Sequence, residues 1–174
     1  MNTQSPNKQA IIQVLQETLA GQADIIAAFL FGSVAQDKAH RQSDVDVAVL
    51  FDAAVDPQRR FELTLAIGAK LEDRLPVAVD VVALNNAPLL LQFEILHHGQ
   101  LIMENDRTQR CLFQMRSMSR YYDAKPYLDS MREQTMRRIQ EKGLGYGYHG
   151  NRNTLTEARR LRTTLASIAT GRSN

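Results

Sequence analysis

The sequence predicts an α/β fold, a small, twisted mixed β-sheet with flanking helices. Three observations carry that expectation. Residues 25–31 (IIAAFLF) and 77–84 (VAVDVVAL) are apolar runs of strand length, residues 44–50 alternate polar and apolar, and the stretches around them show helical apolar spacing.

Residues 9–19 place Ile11, Ile12, Leu15 and Leu19 on one helical stripe, with Ser5 and Pro6 as cap and first-turn residues. Gly21 ends that helix. Residues 25–31 contain no polar position, as a strand covered on both faces requires, and Gly32 breaks the strand. A polar loop, VAQDKAHRQ, follows. In residues 44–50, Asp44 and Asp46 fall on one face and Val45, Val47 and Val49 on the other, which reads as a half-buried strand. Pro57 opens a helix to about Leu75, with Phe61, Leu65, Ile67 and Leu71 as its apolar positions, and Pro76 closes it. Residues 77–84 are apolar and mostly β-branched except at Asp80, the pattern of a central strand. Asn85 and Asn86 turn the chain. Pro88 starts another helix, and His97, His98 and Gly99 form its C-terminal cap before a short strand over residues 100–103. Residues 106–141 are mostly helical, and Pro126 is expected to divide them into two helices. A glycine-rich break, GLGYGYHGN, then precedes a basic helical stretch. The expected organisation is a domain over residues 1–142 and a tail over residues 143–174.

Composition narrows the function classes. With 174 residues, 44% apolar and 23% charged, the chain is long enough for one buried core and has the make-up of a soluble globular protein. No run approaches the ~18 apolar residues of a membrane span, and MNTQSPNKQA lacks the basic patch and apolar run of a secretory signal. A cytoplasmic location without membrane contact is the expectation. Cys111 is the only cysteine, so an internal disulfide and a cysteine-based metal site are both excluded. Any metal must be held by oxygen or histidine. From Asn151 onward five arginines face a single acidic residue, so the tail is +4 and residues 1–150 are −2. A body of that sign is no general nucleic-acid binder, and direct nucleic-acid binding is not expected.

The chemistry concentrates at the strand ends. A glycine and a serine directly after a buried strand let the backbone turn tightly and bring amides and a hydroxyl near phosphates. Gly32-Ser33 is so placed, although Gly-Ser is also an ordinary turn. Ten residues separate Ser33 from Asp44, and the Asp44-Val45-Asp46 spacing sets two carboxylates side by side on one strand face. An isolated pair of this kind reads better as a solvated strand face. Asp80 argues against that blander reading, because a charge within an apolar run costs several kcal/mol unless compensated. No Lys or Arg occurs between Arg74 and Arg107 to compensate it. Carboxylates about 5 Å apart repel by roughly 3 kcal/mol at an effective dielectric of about 20, and a bound divalent ion removes that repulsion. Oxygen ligands beside phosphate favour magnesium, and two ions suit phosphoryl chemistry. Asp80 could also act as general base.

Gly32-Ser33, ten residues, then Ser43-Asp44-Val45-Asp46, with Asp80 on a later strand, resembles the signature of polymerase-beta-type nucleotidyltransferases. Residues 79–106 followed by Arg120-Tyr121-Tyr122-Asp123 further resemble the minimal nucleotidyltransferases of the MntA antitoxin family, over roughly residues 7–142. The resemblance implies a polymerase-beta-like fold and ATP- and magnesium-dependent transfer of AMP onto a tyrosine of a cognate HepT-type HEPN ribonuclease toxin, which silences the toxin. It implies that Gly32 and Ser33 hold the triphosphate, that Asp44 and Asp46 hold the metals, and that Asp80 serves metal and acceptor hydroxyl; Ser43 and Arg41 are further nucleotide-binding candidates. The tail after Gly143 has no counterpart in it.

Other features carry weaker expectations. Adjacent His97 and His98 point apart on a helix and read as a cap rather than as metal ligands. His40 and Arg41, between Ser33 and Asp44, could meet the triphosphate, with loop solvation the equal alternative. Tyr121, Tyr122 and Tyr127 could stack on adenine, although packing against the core is the commoner use of such residues. Cys111 reads as a buried small apolar residue. The tail arginines could dock an acidic partner or RNA, or simply be solvated. Aminoglycoside-type nucleotidyltransferases share the Gly-Ser and Asp-x-Asp chemistry and are the enzymatic alternative, but they generally carry a further helical domain. A partner that blocks a toxin by binding alone is the non-catalytic alternative, and no element of the signature is missing here to favour it.

Overall fold

The computed structural model describes residues 7–38 and 43–142. Four strands, β1 (Ile25–Phe31), β2 (Val45–Phe51), β3 (Val79–Ala83) and β4 (Gln100–Glu104), form one mixed sheet in the order β3-β2-β1-β4. β1 pairs antiparallel with β2 and with β4, and β2 pairs parallel with β3. A parallel neighbour needs a crossover, which helix α3 (Pro57–Glu72) supplies.

Helix α1 (Lys8–Leu19) starts one residue earlier than its apolar stripe suggests. Its N-cap is Asn7, whose side chain accepts from the Gln9 amide, and not Ser5, which lies with Pro6 outside the described residues. The loop expected after Gly32 begins as a short helix, α2 (Gly32–Ala35), tied down by Lys8, whose Nζ donates to the Ala35 carbonyl at 2.7 Å. Asp56 caps α3 by accepting from the Arg59 amide. Helix α4 (Leu89–His98) ends at Gly99, as expected. Gly99 is not left-handed; it is required because a β-carbon there would collide with the Ile95 carbonyl. Residues 107–142 form one helix, α5 (Arg107–Lys142), with Pro126 inside it, rather than the two helices expected. Proline removes one backbone bond and crowds the preceding turn, which one helix tolerates without ending. The chain nonetheless divides into two compact units at that proline, the first ending at Lys125. The described part of the second unit is the remainder of α5, where Tyr127 and Met131 are exposed.

In the first unit the sheet separates two apolar clusters. On one face Ile11, Leu15 and Leu19 of α1 and Ile67 and Leu71 of α3 pack with Val45, Val47, Val49 and Phe51. On the other, Ile95 and Leu96 of α4 and Phe113 and Met118 of α5 pack with Phe29, Ala48 and Leu50. β2 is therefore covered on both faces beyond Asp46, where a half-buried strand was expected. Phe61 and Leu65, two of the apolar positions read at helical spacing, are 60% and 58% exposed. They belong to a groove between α3 and β3 that also includes Val81 and Ala83. Among the described residues, no helix is long and apolar enough to cross a membrane.

Candidate active site

β3 is an edge strand and Asp80 is exposed, so the expectation of a central strand with a desolvated aspartate does not hold. The parallel register gives the reason for Asp80 instead. Asp46 and Asp80 are direct partners across β2 and β3, and Phe31 is the antiparallel partner of Asp46 across β1 and β2. Asp46 precedes Ala48 by two residues and Asp80 precedes Val82 by two. Ala48 and Val82 both pack on the α4/α5 side, so strand alternation puts the two carboxylates on that side too. Asp44, exposed, lies immediately before β2.

The desolvated member of the group is Asp46. Burial raises its carboxyl above the ordinary carboxylate range, and the nearby Asp80 and Asp44 carboxylates raise it further. Gly32 abuts it directly. With φ at 72° Gly32 occupies the left-handed region, and a β-carbon added there would overlap the Asp46 carboxylate. Only glycine lets the chain turn out of β1 while that side chain stays in place. Ser33 follows in α2, half-buried, and its carbonyl accepts from the Lys38 amide at 3.0 Å. Ser43 is half-buried beside Asp44, and Arg41 and His40 lie outside the described residues.

Among the described residues, no three His, Cys, Asp or Glu side chains form a ready-made metal-holding group. Three mutually repelling carboxylates, two of them exposed, have no reason to close on one point by themselves. The donor set nevertheless fits magnesium, which commonly takes one or two carboxylates and completes its octahedron with phosphate oxygens and water. Asp46, whose charge is disfavoured by burial and by like neighbours, is the side chain that a cation would relieve most.

The features set aside by sequence find definite places. Tyr121 packs as expected, its ring stacked on Phe93 at 3.7 Å, whereas Tyr122 is 57% exposed and Tyr127 67%. Cys111 is a half-buried free thiol, not a buried one. His97 stacks on Phe93, and His98 Nε2 lies 3.8 Å from Glu94 Oε2 one helical turn back. Sequence reasoning did not single out Phe31, Gln36 or Glu94. They line a cavity of about 160 Å³ with Gly32, His98 and Gly99, next to the turn that abuts Asp46. The Glu94 and His98 spacing of four residues was the available signal, and only the fold brings it to Gly32.

The family model described as Polymerase beta, Nucleotidyltransferase matches residues 13–108. The protein adenylyltransferase MntA of Shewanella oneidensis is 30% identical over 118 residues, which span 68% of this chain and 79% of that protein. Among solved structures, a chain in a crystal structure of a toxin–antitoxin with AMP-PNP is similar at 27% identity and a TM-score of 0.58, covering 75% of this chain and 98% of that one. A chain in a mutant MntA toxin–antitoxin structure is similar at 26% identity and a TM-score of 0.57, with the same 75% of this chain covered and 98% of the other. The matched segment runs from within α1 to the start of α5 and contains Gly32 and all three aspartates, and on that match the chain belongs to the polymerase beta nucleotidyltransferase family, with MntA adenylyltransferases among its relatives.

Proposed function

We propose that this chain is an antitoxin that transfers AMP from ATP to a tyrosine hydroxyl of a HepT-type HEPN ribonuclease toxin and so neutralises it. The observation that carries the reading is the in-register pair of Asp46 and Asp80 beside Gly32. It sets a half-buried carboxylate and an exposed one at the same level of the sheet. The relatives support the rest: one is a protein adenylyltransferase, and another was crystallised as a toxin–antitoxin with AMP-PNP.

In this reading Gly32, Ser33 and Ser43 hold the triphosphate, and Arg41 meets it from the segment outside the described residues. Asp44 and Asp46 hold magnesium, two ions in all, with Asp80 as a further ligand. When bound, magnesium supplies activation of the attacking hydroxyl and charge neutralisation on the leaving group. Asp80 takes the proton of the acceptor hydroxyl as its oxygen attacks the α-phosphorus. The bond from that phosphorus to the bridging oxygen breaks, and pyrophosphate leaves. The catalytic module is residues 1–142, and the tail over residues 143–174 is assigned none of these roles.

The position of Asp80 on an exposed edge strand favours a large acceptor, because a tyrosine on a folded protein can reach it without entering a closed chamber. Cells expressing the toxin test the reading. The native chain protects them, and Asp44→Asn and Asp46→Asn do not. Equal protection by all three would show that the toxin is silenced by binding alone. Replacing the toxin by an aminoglycoside in vitro, and finding AMP on the aminoglycoside, would move the reading to small-molecule transfer.

A further inference from the structure

The cavity beside Gly32 has no part in the carboxylate chemistry. Its lining combines the aromatic Phe31 with three residues that carry polar side chains, Gln36, Glu94 and His98. At about 160 Å³ it is too small for a whole nucleotide, whose sites usually run to about 300 Å³ or more, and it suits one part of such a ligand. Its position says which part. Gly32 lines it and also abuts the Asp46 carboxylate. A group in the cavity is therefore a near neighbour of the reacting phosphorus.

Phosphate is disfavoured here, since the Glu94 carboxylate would repel it. Between the base and the sugar, the sugar lies closer to the α-phosphorus, joined to it through a single oxygen. Of the two, the vicinal diol also suits a carboxylate well, offering two donors to two acceptor oxygens. Resting on the adenylyl-transfer reading above, we propose that Glu94 accepts hydrogen bonds from the ribose hydroxyls of the nucleotide and that His98, one turn further along α4, positions that carboxylate. This makes Glu94 the group by which the enzyme prefers a ribonucleotide to a deoxyribonucleotide. Neither side chain holds the fold together: both are more than half exposed, at 53% and 54%.

Equilibrium binding tests the assignment independently of any acceptor. ATP and 2′-deoxy-ATP are titrated, with magnesium, into the full-length chain and into Glu94→Gln, Glu94→Ala, His98→Ala and Asp46→Asn. The native chain is expected to bind ATP about tenfold more tightly than 2′-deoxy-ATP, a difference of one lost charge-assisted bond. Glu94→Ala brings that ratio close to one by weakening ATP more than 2′-deoxy-ATP, which loses only its 3′-hydroxyl bond, whereas Glu94→Gln, whose amide oxygen still accepts, and His98→Ala lower it partway. A native ratio of one, or a ratio unchanged in Glu94→Ala, overturns the proposal. If the native chain binds ATP and Asp46→Asn does not, while the ratio ignores Glu94, the ribose assignment falls and nucleotidyl transfer stands. If the native chain binds neither nucleotide, both fall together.

Discussion

At the scale of single residues, the site is organised by the crowding of Gly32 and Asp46. Gly32→Ala would place a methyl group on the Asp46 carboxylate and hold alanine at a left-handed φ. We expect it to lower nucleotidyl transfer about 100-fold through displacement of that carboxylate and to destabilise the fold by about 1 kcal/mol. Transfer measured beside thermal melting checks both. Asp46 itself is held against its preference: burial first, then Asp80 and Asp44, raise its carboxyl. A raised carboxyl stabilises the metal-free fold fully only below the unfolded-state value near 4, and that contribution is lost as pH rises through the raised value. Metal-free Asp46→Asn is thus expected to melt a few degrees higher than the native chain at neutral pH, with the gap closing as pH falls toward 4. Magnesium should raise the melting temperature of the native chain more than that of the variant. Melting curves that keep the same gap at every pH would contradict this account. The spacing of Ser33, Asp44 and Asp46 marked these residues as candidates in the sequence. Their electrostatics were not legible there. Asp80 looked like the buried charge because its neighbours are apolar, but an edge position leaves it exposed, and strand order cannot be read from the composition of one strand.

At the scale of elements, the parallel pairing of β2 and β3 does most to build the site, and a residue that sequence reading took only for a turn secures it. Asn85, in the 3-10 turn Leu84–Asn86 after β3, accepts from the Phe51 amide and donates to the Phe51 carbonyl, both at 2.9 Å. It continues the ladder past the last strand pair, fixing β3 to the end of β2. Asn85→Ala leaves those two backbone groups unpartnered and is expected to cost about 1–3 kcal/mol, read as a shifted denaturation midpoint with an unchanged slope. A midpoint within error of the native chain would show that the turn is not needed. Apolar runs and proline and glycine signals located all four strands and helices α1, α3 and α4. What they missed has physical causes. Helix α2 is too short to show a period, Pro126 is accommodated inside α5, and the exposed Phe61 and Leu65 satisfy a helical pattern that carries no information about what covers it.

At the scale of the whole molecule, a four-stranded sheet with α1 and α3 on one face and α4 on the other brings together residues far apart in the chain: Gly32 and Ser33 after β1, Asp44 and Asp46 at the start of β2, Asp80 in β3 and Glu94 in α4. Long-range pairing of this kind follows from sheet order, which explains why candidate residues could be listed from the sequence while the cavity beside Gly32 could not. The basic tail beyond residue 142 lies outside the described residues, and the expectations attached to it stay as they stood in the sequence. The central claim, transfer of AMP by the aspartate-lined sheet end, is tested most directly by intact-mass spectrometry of the toxin after incubation with ATP, magnesium and this chain. The account predicts a toxin heavier by one or more AMP units with the native chain, and labelling slowed by about two to three orders of magnitude with Asp46→Asn. A toxin that keeps its unmodified mass with the native chain, or is labelled equally fast by the variant, would contradict it.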